Sequence, residues 1–117
     1  MRLIIYEIVM CGILAVYTGG PSYAQEDSGT KKVVVISVDG SINPSSAEYI
    51  NSGIEHAREK DAECLVIKLN TPGGLLRSTR IIVADILESE VPVVVFVYPG
   101  GSQAASAGVF ITLAAHI

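Results

Sequence analysis

From residue 31 onward, apolar blocks alternate with amphipathic stretches, a pattern that predicts three strands separated and followed by helices. Lys31 to Val38 reads as a strand in which Val33, Val34, Val35 and Ile36 run without a polar break, as in strands covered on both faces. Asp39-Gly40 turns the chain, and Asn43-Pro44-Ser45-Ser46 offers cap-forming side chains for a helix. On that helix Ala47, Ile50, Ile54 and Ala57 share one face, while Glu55, His56, Arg58, Glu59 and Lys60 take the solvated side. Cys64 to Leu69 is a second buried strand, ending at Asn70-Thr71-Pro72-Gly73-Gly74. Leu75 to Ser89 follows as a helix, with Leu75, Thr79, Ile82 and Ile86 inward and Arg77, Arg80 and Glu88 outward. Val91 to Tyr98 is the third strand, and Pro99-Gly100-Gly101 leads into a last apolar helix through Ala115. Strands separated by helices call for a parallel sheet with right-handed crossovers, so the fold class is α/β.

The first 24 residues follow a different pattern. A positive start at Met1-Arg2 precedes an apolar run from Leu3 to Tyr17, shorter than the roughly 20 residues a spanning helix needs. Thr18-Gly19-Gly20-Pro21 breaks any helix, and Ser22-Tyr23-Ala24 has the small-x-small form of a signal-peptidase site. Residues 1–24 are therefore expected to be an export signal, with a retained membrane anchor as the alternative, although Glu7 sits awkwardly in the apolar run. Residues 25–31 are expected to be a flexible segment and 32–117 the folded domain.

Composition narrows the function. Of 117 residues half are apolar and 17% charged, which excludes a disordered tail. Eight Lys and Arg against twelve Asp and Glu leave no basic stripe for nucleic acid. Cys11 and Cys64 have neither CxxC spacing nor a nearby His, so they suggest no metal site and no disulfide framework. Cys11 would leave with the signal, and Cys64 is expected to be a small buried hydrophobe. From Val91 to Ile117 no residue is formally charged, but Pro92, Pro99, Gly100 and Gly101 interrupt the run, which fits a buried strand, turn and helix better than a span.

Two turns carry candidate chemistry, both at the carboxyl ends of strands, where open α/β folds place their sites. Thr71-Pro72-Gly73-Gly74 offers uncovered backbone N–H groups able to bind an oxyanion. The stretch Gly101-Ser102-Gln103-Ala104-Ala105-Ser106-Ala107-Gly108 places Ser106 among small neighbours at a helix start, where a substrate carbonyl can approach and developing negative charge is favoured. Each alone has a plain reading, a tight turn and a helix cap. Neither GxGxxG nor GxxxxGK[ST] is present to suggest nucleotide binding.

In combination, LNTPGG and GSQAASAG, one helix and one Val-rich strand apart, resemble the Clp-protease/crotonase superfamily. VYPGG, the SAGVFITLAAHI that follows and the export signal make the chain similar to the membrane-associated NfeD-type serine proteases within it. The resemblance implies a Clp-protease-like fold of repeated β-α units and a serine endopeptidase using a Ser-Lys dyad, with no cofactor or metal. It makes Ser106 the nucleophile, Gly74 and Ala107 the oxyanion N–H donors and Gly73 part of the substrate-binding turn. It further implies an apolar peptide substrate, a stomatin-like membrane partner, a homo-oligomer and an exported or membrane-associated location. On this reading Gly74→Val should lower turnover far more than stability.

The family's lysine lies C-terminal to the serine-bearing helix, whereas Lys31, Lys32, Lys60 and Lys68 all precede Ser106. His116, ten residues along the predicted helix, would stand roughly 15 Å away, and a general base must sit at about 3 Å. Residues 32–117 are thus expected to be the N-terminal part of a peptidase domain, truncated within the last helix and inactive alone, with Val109, Phe110, Leu113 and Ile117 partly exposed. Two other readings stand beside this one. They are a crotonase-like acyl-CoA enzyme using the same Gly-rich turn without a nucleophile, and a non-catalytic membrane-assembly module partnering a stomatin-like protein.

Overall fold

In the computed structural model, which describes residues 29–117, strands and helices alternate as the apolar pattern predicts. Strand β1 (Val33–Asp39) leads to helix α1 (Pro44–Glu59), strand β2 (Cys64–Asn70) to helix α2 (Leu76–Glu88), and strand β3 (Val93–Val97) to helix α3 (Ala107–Ala114). The three strands form one sheet in the order β1-β2-β3, parallel throughout. Val33 pairs with Cys64 and Asp39 with Asn70, while Leu65 pairs with Val93 and Leu69 with Val97. This register brings the ends of β1 and β2 level, so the turns that follow them lie side by side. The fold is α/β.

Local chemistry explains the helix starts. The Asn43 side chain accepts from the Ser46 N–H at 3.0 Å, and the Ser46 hydroxyl accepts from the Asn43 N–H at 2.9 Å. This reciprocal cap precedes Pro44, whose fixed φ suits the first helical turn. Ala47, Ile50, Ile54 and Ala57 bury as the spacing predicts, and α2 buries Ser78, Thr79, Ile82 and Ile86. Leu75 differs from expectation: it stands at the N-cap of α2 and is exposed.

The core lies on one side of the sheet. Ile36, Val38, Leu65, Ile67, Leu69 and Val93 face the helices and are buried. Alternate residues face away, and Val33 and Val35 are 51% and 53% exposed, Phe96 52%. The expected cover on both faces is therefore absent among the described residues, because α1 and α2 both lie against the same face. Cys64 shares the open face and is half-buried, not a core residue. Helix α3 starts later and ends one residue earlier than expected, and the backbone of His116 and Ile117 bonds instead to Val93 and Val95 along the edge of β3. Val109, Phe110, Leu113 and Ile117 are exposed as expected. The predicted signal, with Cys11, and residues 25–28 lie outside the described residues. Among those described, no helix is long and apolar enough to cross a membrane.

Candidate functional site

The turn after β2 is built around Thr71, which is fully buried. Its hydroxyl accepts from the Gly73 N–H and donates to the Gly73 carbonyl, each at 3.1 Å. Gly73 has φ +127, a region that glycine enters without a Cβ penalty. Its carbonyl also accepts from the Ile42 N–H at 2.8 Å, and the Leu75 N–H donates to the Ile42 carbonyl at 2.8 Å. Gly74 is thereby pressed against the segment after β1, and a Cβ there would stand 2.1 Å from the Ile42 carbonyl oxygen. No carbonyl or side chain among the described residues takes the Gly74 N–H, and Gly74 is exposed.

The turn after β3 is strapped to the first. Thr71 donates its N–H to the Gln103 carbonyl at 2.7 Å and accepts from the Ala105 N–H at 3.0 Å. The Asn70 side chain accepts from the Gln103 N–H at 3.2 Å and donates to Asp39 at 3.1 Å. Ser106 follows with φ 50 and ψ −108, a conformation that costs a non-glycine residue about 1–3 kcal/mol. A serine on a strained turn between strand and helix is the arrangement that exposes a nucleophilic hydroxyl. Ser106 is exposed and makes no capping hydrogen bond to α3, so the plain cap reading does not describe it.

The two turns meet. A Cβ on Gly73 would stand 2.9 Å from the Ser106 Cβ and 3.2 Å from its Oγ. The sequence-nominated residues Gly73, Gly74, Ser106 and Ala107 are thus gathered where the two strand ends open. The Gly73 N–H is occupied by Thr71, whereas those of Gly74 and Ala107 have no partner among the described residues. Gly74→Val is a different experiment from the one expected: its side chain would overlap the Ile42 backbone, so stability and turnover should fall together.

Among the described residues no side chain hydrogen-bonds to the Ser106 hydroxyl. His116 lies past the end of α3 rather than in it, and its Nδ1 accepts from the Val93 N–H at 3.1 Å, at the start of β3. His56 is exposed on α1, as its helical face predicts. Lys68 lies over the Tyr98 ring, its Nζ 4.9 Å from the centroid, and Lys60 caps the end of α1. Among the described residues no group of three or more His, Cys, Asp or Glu side chains could hold a metal ion. Elsewhere, between α1 and α2, burial raises the Asp85 carboxyl above its ordinary value, with the Glu88 charge adding and the Asn51 side chain opposing. Thr71, Ile42 and Gln103, which shape the site, were not singled out from sequence; the one signal was a β-branched hydroxyl residue directly before Pro72-Gly73-Gly74.

Residues 32–117 match the family described as NfeD1b, N-terminal domain. The chain is 33% identical over 111 residues to membrane-bound protease PH1510 of Pyrococcus horikoshii, covering 95% of this chain and 24% of that protein. It thus spans about a quarter of the length of that relative. Among solved structures it is similar to 1510-N membrane-bound stomatin-specific protease, a lysine-to-alanine variant in complex with a substrate peptide. That likeness has TM-score 0.74 and 36% identity over 75% of this chain and 40% of the other. It is also similar to ClpP1 of Listeria monocytogenes, solved as an asparagine-to-aspartate variant, with TM-score 0.60 and 29% identity over 71% of this chain and 46% of that one.

Proposed function

The chain belongs to the family of NfeD1b N-terminal domains, and from that premise we propose that it carries the nucleophile and oxyanion donors of a membrane-associated serine peptidase. The approach of Gly73 to the strained, exposed Ser106 is the observation that supports this most. In this reading the Ser106 hydroxyl adds to the scissile carbonyl carbon and gives its proton to a base. The carbonyl oxygen, now negative, is received by the N–H groups of Gly74 and Ala107, which have no partner among the described residues. The base passes that proton to the scissile nitrogen, so that collapse expels the amine and leaves an ester on Ser106, and a water activated by the freed base then releases the acid and restores the hydroxyl. Gly73 borders the path of the bound peptide.

The base is a lysine C-terminal to the serine-bearing helix, as the family resemblance implies, and so lies outside residues 29–117, among which no lysine or histidine hydrogen-bonds to Ser106. A polypeptide of those residues alone is accordingly inert toward peptides. The similar Pyrococcus protein is membrane-bound, and a related structure is a stomatin-specific protease holding a peptide. An apolar segment of a stomatin-like membrane protein is the proposed substrate here, met by a homo-oligomer on the exported side of the membrane after an N-terminal signal.

The test is active-site labelling of the full-length gene product. A fluorophosphonate should modify Ser106, and Ser106→Ala should abolish both the label and peptide hydrolysis while leaving the circular dichroism spectrum unchanged. Hydrolysis that survives in Ser106→Ala overturns the assignment.

A further inference from the structure

We propose that Thr71 is a positioning residue whose hydroxyl locks the Gly73–Gly74 peptide in the orientation that presents the Gly74 N–H to the oxyanion. The proposal rests on the peptidase reading of Ser106 and adds to it a residue that makes no hydrogen bond to the nucleophile. In a trans peptide the carbonyl and the following N–H point in opposite directions. Two donors hold the Gly73 carbonyl, the Thr71 hydroxyl at 3.1 Å and the Ile42 N–H at 2.8 Å. The Gly74 N–H is therefore turned away from Thr71 and Ile42, toward the exposed side of the turn.

A lock is needed because this turn is made of glycines. At Gly73, φ +127 has no side chain to restrict it, so the peptide that follows can rotate at low steric cost. An N–H stabilises a developing oxyanion only if it already points there. The Thr71 hydroxyl engages both ends of Gly73, accepting from its N–H and donating to its carbonyl. The rest of Thr71 holds the serine turn. Its backbone pairs with Gln103 and Ala105, and its methyl lies where α3 begins, so that a Cβ on Gly108 would stand 2.8 Å from Thr71 Cγ2. One buried side chain thus sets the donor turn while its backbone fixes the nucleophile turn. Valine would keep the shape and lose the lock, whereas serine would keep the lock and lose the methyl.

That separation defines the experiment, performed on the full-length gene product. In Thr71→Val, kcat and the rate of fluorophosphonate labelling should fall about 10- to 100-fold, at or below the 10²–10³-fold effect of losing an oxyanion donor, with KM unchanged. Thr71→Ser should keep most of the wild-type rate. In nitrogen-15-labelled protein, Thr71→Val should shift the Gly74 amide resonance and speed exchange of the Gly73 N–H, and Thr71→Ser should do neither. If the valine variant does not fold, Thr71→Ala makes the same comparison with Thr71→Ser. Equal losses in the serine and valine variants, or an unmoved Gly74 resonance in Thr71→Val, overturn the proposal. Activity that persists in Ser106→Ala instead overturns the peptidase reading, and the Gly74 resonance still decides whether Thr71 holds that peptide.

Discussion

Ser106 and Gly73 both lie at positive φ, at 50° and 127°, and they face one another. For the serine this is strain, which persists only where the surroundings enforce it, and here the contacts that hold the two turns are the bonds from Thr71 to Gln103, Ala105 and Gly73. Gly74 is restricted for another reason. A side chain would overlap the nitrogen, carbonyl carbon and oxygen of Ile42, all within 2.7 Å of the added Cβ. Gly74→Val should therefore lower the thermal midpoint and turnover together, and a variant of wild-type stability would contradict the packing described. Asp85 makes a prediction about pH. Burial raises its carboxyl above the ordinary 3.8, the Glu88 charge adds to this, and Oδ2 has no hydrogen-bond partner among the described residues. The folded chain then binds the Asp85 proton more tightly than the unfolded chain. Ionisation of Asp85 weakens the fold in full above its raised pKa, and this penalty shrinks as pH falls through that value and is gone below the ordinary 3.8. Asp85→Asn should be more stable than wild type near pH 7, with the difference shrinking toward pH 4 in denaturant titrations. Stability that responds to pH identically in both proteins would exclude this role for Asp85.

The helices owe their positions to different devices. Helix α1 begins with a reciprocal cap between Asn43 and Ser46 and carries a clean apolar face of Ala47, Ile50, Ile54 and Ala57. Asn43→Ala should lower stability by about 0.5–2 kcal/mol, the usual effect of losing an N-cap, as read from the urea midpoint at unchanged slope. Helices α2 and α3 have no side-chain cap. Their first turns instead follow the two strapped loops, so their starts are set by contacts with Ile42 and Thr71. The strands show the limit of pattern reading. Val33 to Ile36 are all apolar, yet burial alternates along them because both neighbouring helices pack on a single face.

Taken together, the described residues leave two apolar surfaces uncovered. One is the open sheet face with Val33, Val35 and the stacked pair Phe96 and Tyr98. The other runs along α2 and α3, where Leu76, Val83, Leu87 and Phe110 line a cleft and Leu113 is 78% exposed. Apolar area of this kind promotes association. A polypeptide of residues 29–117 should therefore sediment as more than a monomer. Phe110→Glu combined with Leu113→Lys should lower its apparent mass, and an unaltered mass would remove the helical surface from the account.

The apolar periodicity of the sequence was sufficient for the strands, the helices, their order and the parallel α/β class, because burial of Val, Ile and Leu on regular backbone leaves few other arrangements. The two turns are legible in the sequence, and it is the resemblance they carry in combination that implies roles for Gly73, Gly74, Ser106 and Ala107. The sequence could not say which sheet face stays open, because an unbroken Val run looks the same whether one side or two is covered. Nor could it show that Ile42 blocks any side chain at Gly74, that His116 bonds to Val93 instead of extending α3, or that Thr71 joins the two turns. Those facts depend on contacts between segments about 20 to 35 residues apart, and only the parallel register of the strands brings those segments together.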